Sequence, residues 1–123
     1  MAKLPKLVRD KIPHLIEKSG KVPVTRSILG EEVEVYRYYL VNKLMEEMGE
    51  FVAETYENRT YEARKEEAAD MFECCRALWS LYGLSVELVI TEADRKAEER
   101  GGFYRGIILE DVRDQEETDD IDV

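Results

Sequence analysis

The sequence predicts an all-α protein, and three observations carry that reading. Apolar residues recur at helical spacing from Glu31 to about Asn58 and again from Thr60 to Tyr82. All three prolines lie within the first 23 residues, so neither stretch is broken by one. Capping and stopping residues stand at the ends of these stretches, whereas the two-residue alternation of a strand is weak throughout.

Taken in order, Asp10 is a candidate N-cap for a short helix that carries Pro13 in its first turn and stops at Gly20. Residues 21–30 contain Pro23 and the β-branched pair Val24 and Thr25, and read as extended. A short β segment is entertained near 22–28, with a candidate partner near 105–109. The first long helix covers Glu31 to about Asn58. Its internal Gly49 costs about 1 kcal/mol against alanine, a cost that close approach of backbone or ligand would explain and that tolerated drift would explain equally. Asn58-Arg59-Thr60 is read as a turn, with Thr60 as the next N-cap. The second long helix runs to Tyr82 and ends at Gly83. Ser85 opens a third, which reaches Arg100 and stops at Gly101-Gly102.

A chain of 123 residues predicts one domain. Its boundaries are placed at 1–109, with 110–123 as an acidic disordered tail. That tail has eight acids against one base, a net −7, within a whole-chain charge of −10. Residues 1–26 carry the opposite balance, seven bases against two acids. No large basic surface is available, which argues against a nucleic acid polymer as partner. A small phosphate compound is compatible. Adjacent Cys74 and Cys75 fit no metal-ligand spacing and read as buried thiols of a reducing cytoplasm. No apolar run approaches the roughly 18 residues that would span a membrane, and no signal peptide is visible.

Acids at two places carry the chemistry. Glu47 and Glu50 are three apart on the first long helix, and Glu67 and Asp70 are three apart on the second. Such spacing puts each pair on one helix face. The apolar stripe of the first helix is Val33, Leu40, Val41, Leu44, Met48 and Phe51. Glu47 sits at its edge, with Glu50 and Glu54 just beyond. The stripe of the second is Ala63, Met71, Cys74, Cys75, Leu78, Leu81 and Tyr82. Glu67 falls inside that stripe and Asp70 on its border. A carboxylate in an apolar stripe is costly unless it is paired or binds a metal.

Four carboxylates without a nitrogen or sulfur ligand make a hard-oxygen site, suited to Mg²⁺ or Mn²⁺. A di-iron site would need Glu-x-x-His motifs; the sole histidine, His14, is remote in sequence. Carboxylate-bound Mg²⁺ takes substrate phosphate oxygens, so the reaction class is metal-assisted attack of water on phosphorus. Glu46, beside Glu47, is a candidate to take the proton or add a metal contact. Catalytic roles are therefore assigned to Glu46 and Glu47.

E-x-x-E at 47–50 followed about twenty residues later by E-x-x-D at 67–70 resembles the MazG superfamily of nucleoside triphosphate pyrophosphohydrolases. The opening K-L-V-R-D-K-I-P at 6–13 and the later K-A-E-E-R-G-G-F at 96–103 resemble its small single-domain branch, described as house-cleaning enzymes. The resemblance covers about residues 3–110. It implies an antiparallel helical bundle, a dimer or higher homo-oligomer, and Mg²⁺ held by Glu47, Glu50, Glu67 and Asp70. It further implies cleavage of a nucleoside triphosphate to monophosphate and pyrophosphate. Phosphoribosyl-ATP, the substrate of histidine-pathway relatives, stays open as an alternative.

Arg9 and Lys11 flank a helix start, and Lys96 and Arg100 share a helix face before a Gly-Gly stop. All four are candidate phosphate contacts. A homodimer is also expected from the residues alone. Tyr36, Tyr38, Tyr39, Met45 and Val52 lie outside the narrow core stripe of the first long helix, with Val41 at its margin, and require a second burial surface. A second function class is a catalytically silent helical dimer that uses the acids as a structural cation site.

Overall fold

A computed structural model describes residues 4–56 and 60–115. The described chain is all-helical: α1 Ile12–Lys18, α2 Val33–Tyr56, α3 Tyr61–Ser80 and α4 Val86–Arg100. No strand occurs among the described residues. The short β segments entertained near 22–28 and 105–109 are therefore not formed. A strand needs a partner for its backbone ladder, and neither segment has one. Val22 and Val24 are 86% and 96% exposed, so β-branched side chains there had no sheet face to cover.

The long helices begin and end where local chemistry dictates. The Thr60 hydroxyl accepts a hydrogen bond from the Ala63 amide at 3.1 Å, capping α3. The Ser85 hydroxyl accepts from the Leu88 amide at 3.2 Å, capping α4. Gly83 and Gly101 follow α3 and α4 with φ of +72° and +84°. That left-handed backbone favours glycine, and it turns the chain out of each helix. The start of α1 differs from expectation. Lys11, not Asp10, occupies the N-cap, in a helical conformation and without a side-chain cap. Asn58, Arg59 and residues 116–123 lie outside the described residues, so the turn and most of the tail expected there do too.

Helix α2 packs against α3, and the pairing is antiparallel. Glu54 stands opposite Arg64, whose Nε donates to the Glu54 carbonyl at 3.2 Å. Glu47, earlier on α2, stands beside Glu67 and Asp70, later on α3. Among the described residues, the buried apolar ones are Leu40 and Cys74, at 3% and 8% exposure. Phe72 and Trp79 add an edge-to-face contact on α3 at 6.3 Å. Cys74 and Cys75 are free thiols, the first buried and the second half-buried, and desolvation raises the pKa of both.

The chain divides into two units, residues 1–88 and 89–123, with the boundary inside α4. In the first unit much apolar surface stays uncovered. Tyr38, Val41, Met45, Met48 and Val52 are all exposed. Their spacing alternates three and four, which is the heptad seam of a helix that packs on another helix. Val33, Val41, Met48 and Tyr82, expected in the core stripes, are likewise exposed. Their stripe faces more solvent than a single chain can screen. No described helix is long and apolar enough to cross a membrane.

Candidate metal centre

The antiparallel pairing of α2 and α3 brings acids from both helices to one place. Glu47, Glu67 and Asp70 each direct a carboxylate oxygen into a set whose members lie within 4.8 Å of one another. Glu47 is buried, at 9% exposure, and the other two are half-buried. Like charges 4.8 Å apart repel by about 3 kcal/mol at an effective dielectric of about 20. A compensating positive charge is therefore required.

Two basic side chains supply part of it. Lys43 Nζ donates to Glu47 at 3.1 Å and reaches Glu46 at 3.4 Å. Burial pulls the Lys43 pKa down. The hydrogen bond with Glu47 and the charges of Glu46 and Glu47 outweigh it and hold the pKa above its ordinary value. Arg9 Nη2 donates to Asp70 at 2.7 Å, tying the segment before α1 to α3. Both side chains of that pair are about half exposed. Such a pair contributes about 0–1 kcal/mol, so it holds Asp70 only weakly against a competing cation. Among the described residues, no basic side chain pairs with Glu67.

Glu67 accordingly bears the strain. Its pKa is raised, first by desolvation and then by the charges of Glu50, Glu47, Asp70 and Glu54. Glu50 is exposed and outside the convergent set, yet it is the first of the neighbouring charges felt by Glu67. Glu54, expected beyond the apolar stripe, is buried at 7% exposure. The cluster of Glu47, Glu67 and Asp70 can hold a metal ion. Octahedral Mg²⁺ with oxygens at about 2.1 Å sets ligand oxygens about 3–4.2 Å apart, so a small side-chain contraction brings this oxygen-only set into range.

The remaining predicted residues are placed as follows. Glu46 is half-buried beside Lys43. Lys11 is exposed at the N-cap of α1. Lys96 and Arg100 are exposed on α4, in the second unit, with Arg100 in the last turn. A Cβ on Gly49 would meet open space. Among the described residues, no close approach explains that glycine. The sequence reading passed over Lys43, although its three- and four-residue spacing to Glu46 and Glu47 is the usual signal of helical ion pairs. The chain matches no protein-family profile, no curated protein and no solved structure.

The strain at Glu67 has a pH signature. Because its folded pKa lies above the ordinary 4.5, its protonation favours the fold fully below that value. This contribution is lost as pH rises through the folded pKa. Glu67→Gln keeps the shape and removes the charge. In EDTA at pH 7 the variant should melt at or above the parent temperature, and the difference should shrink toward pH 4. Thermal melts by circular dichroism at several pH values check this. A variant several degrees less stable than the parent in EDTA at pH 7 would show that Glu67 serves as a structural ion-pair partner.

Proposed function

We propose that this chain is a Mg²⁺-dependent nucleotide pyrophosphohydrolase that releases pyrophosphate and a nucleoside monophosphate. The observation that supports it most is the crowded carboxylate set on the α2–α3 seam, which has two basic partners and leaves Glu67 without one. Glu47, Glu67 and Asp70 would hold the ion, with Glu50 as the further acid within reach of its field. Mn²⁺ suits the same oxygens. When bound, the ion supplies charge neutralisation for phosphate oxygens and acidifies a water.

The chain's own groups account for the rest. Glu46 takes the proton of the attacking water, and Lys43 beside it orients that carboxylate. Arg9 exchanges Asp70 for a substrate phosphate once the ion is in place, a bidentate use that suits its guanidinium. Lys11 remains a candidate phosphate contact. The resemblance to MazG-like enzymes supports the same reaction, the helical-bundle type and a nucleoside triphosphate as substrate, noncanonical forms and phosphoribosyl-ATP included. Free thiols agree with a reducing compartment such as cytoplasm.

The functional form is a homodimer or higher homo-oligomer. The support is the exposed stripe Tyr38, Val41, Met45, Met48 and Val52 on α2, which a second copy would cover by helix-on-helix packing. Light scattering at micromolar concentration should give at least twice the chain mass; a monomer would contradict the assembly.

Activity is tested on a panel of triphosphates and phosphoribosyl-ATP, with the first product identified. Pyrophosphate and a monophosphate should appear only with Mg²⁺ or Mn²⁺, and Glu67→Gln should lose nearly all turnover. Orthophosphate as the first product, or full activity in excess EDTA, would overturn the proposal. Absence of turnover together with Mg²⁺-induced stabilisation would instead assign the acids to a structural cation site.

A further inference from the structure

A cavity of about 610 Å³ lies between the segment before α1 and the first half of α2. Its wall carries Tyr38, Tyr39 and Asn42 together with Lys6, Lys43 and Glu46. The volume is in the range of small-molecule sites, about 300–1,000 Å³. The two tyrosine rings meet edge to face, with centroids 5.5 Å apart and planes at 87°. That arrangement uses one ring's edge and one face of the other, and leaves further ring faces for stacking. Asn42 adds an amide that both donates and accepts. Lys6 and Lys43 add positive charge, and Lys43 joins the cavity to the acid cluster through its contact with Glu47.

We propose that this cavity is the nucleoside subsite, where a planar heteroaromatic base stacks on Tyr38 or Tyr39 and Asn42 reads its polar edge. The chemistry on its wall selects for that class. A flat ring uses the aromatic faces, a pattern of donors and acceptors uses the amide, and a phosphate attached to the same molecule meets Lys43 on the side of the acids. A purely apolar ligand would leave Asn42 and Lys6 without a role. A simple anion would leave the tyrosines without one. The inference rests on the pyrophosphohydrolase reading for its orientation, with the phosphates toward Glu47, but the binding itself needs no turnover. The Arg9–Asp70 pair ties the chain to α3 just after the segment that forms one wall of the cavity. Tyr38 also belongs to the exposed stripe on α2, so the stripe's second copy and the ligand share that ring.

The test is equilibrium binding in EDTA, by calorimetry or ligand-observed NMR, with the protein in the oligomeric state in which it is isolated. The probes are the four common nucleoside monophosphates and ribose 5-phosphate. At least one nucleoside monophosphate should bind about tenfold or more tightly than ribose 5-phosphate, as base stacking on an aromatic ring requires. The double variant Tyr38→Ala/Tyr39→Ala should abolish that advantage. Asn42→Asp, at an exposed position where substitution spares the fold, should change the order of preference among bases. Retained Mg²⁺-induced stabilisation in both variants would show that the acid cluster is intact. Equal binding of ribose 5-phosphate and the monophosphates, or an unchanged base order in Asn42→Asp, would overturn the subsite. If the panel shows turnover while these variants keep parental base preference, the subsite falls and the hydrolase stands. If base-dependent binding is found without turnover on any substrate, the subsite stands and the hydrolase falls.

Discussion

Like-charge crowding on the α2–α3 seam is the constraint that the first unit is arranged around. Antiparallel packing of two amphipathic helices would ordinarily place apolar side chains at every point of contact. Here the seam buries Glu47 and Glu54 alongside Leu40 and Cys74. So much carboxylate in so small an interior is destabilising unless positive charge accompanies it. Lys43 from within α2 and Arg9 from before α1 answer part of that demand. The remainder falls on Glu67, whose pKa rises through desolvation and its acidic neighbours. A fold selected only for stability would put an apolar residue at that position.

The same seam explains why the segment before α1 sits where it does. Residues 5–7 line the cavity beside α2, and Arg9 fastens them to α3 through Asp70. One ion pair thus links the acid cluster to the wall of the adjoining cavity. Because both side chains are about half exposed, the link is weak and reversible, which suits a contact that exchanges when charge arrives at the acids. The apolar stripe on α2 supplies stability from another source. A chain with so few buried apolar residues gains little from its own core, and a partner helix on the stripe would offset the cost of the crowded carboxylates.

Much of this was legible in the sequence, and what escaped it has identifiable reasons. Thr60 and Ser85 cap the helices they precede, and glycines follow the helices they stop, because those signals act within a few residues. Glu67 stood out because a helical wheel shows a charge inside an apolar stripe. The burial of Glu54 escaped the wheel, which ranks residues on one helix and does not know how far the neighbouring helix extends. The Arg9–Asp70 pair, 61 residues apart, is set by tertiary packing and has no local signal. Val24 and Thr25 suggested a strand by their branching, but propensity forms no ladder without a partner. The wide apolar surface of α2 was visible in the sequence. The heptad spacing of its exposed part became evident once the residues facing α3 were known.

The central claim is that Glu67 completes a cation site that the chain's own bases leave unbalanced. Its most direct measurement is Mn²⁺ binding followed by electron paramagnetic resonance, in which bound ion loses the six-line signal of the free aquo ion. The parent protein should remove that signal on titration, Mg²⁺ should restore it by competition, and Glu67→Gln should bind at least about tenfold more weakly. Equal Mn²⁺ binding by parent and variant, or none by the parent, would contradict the account.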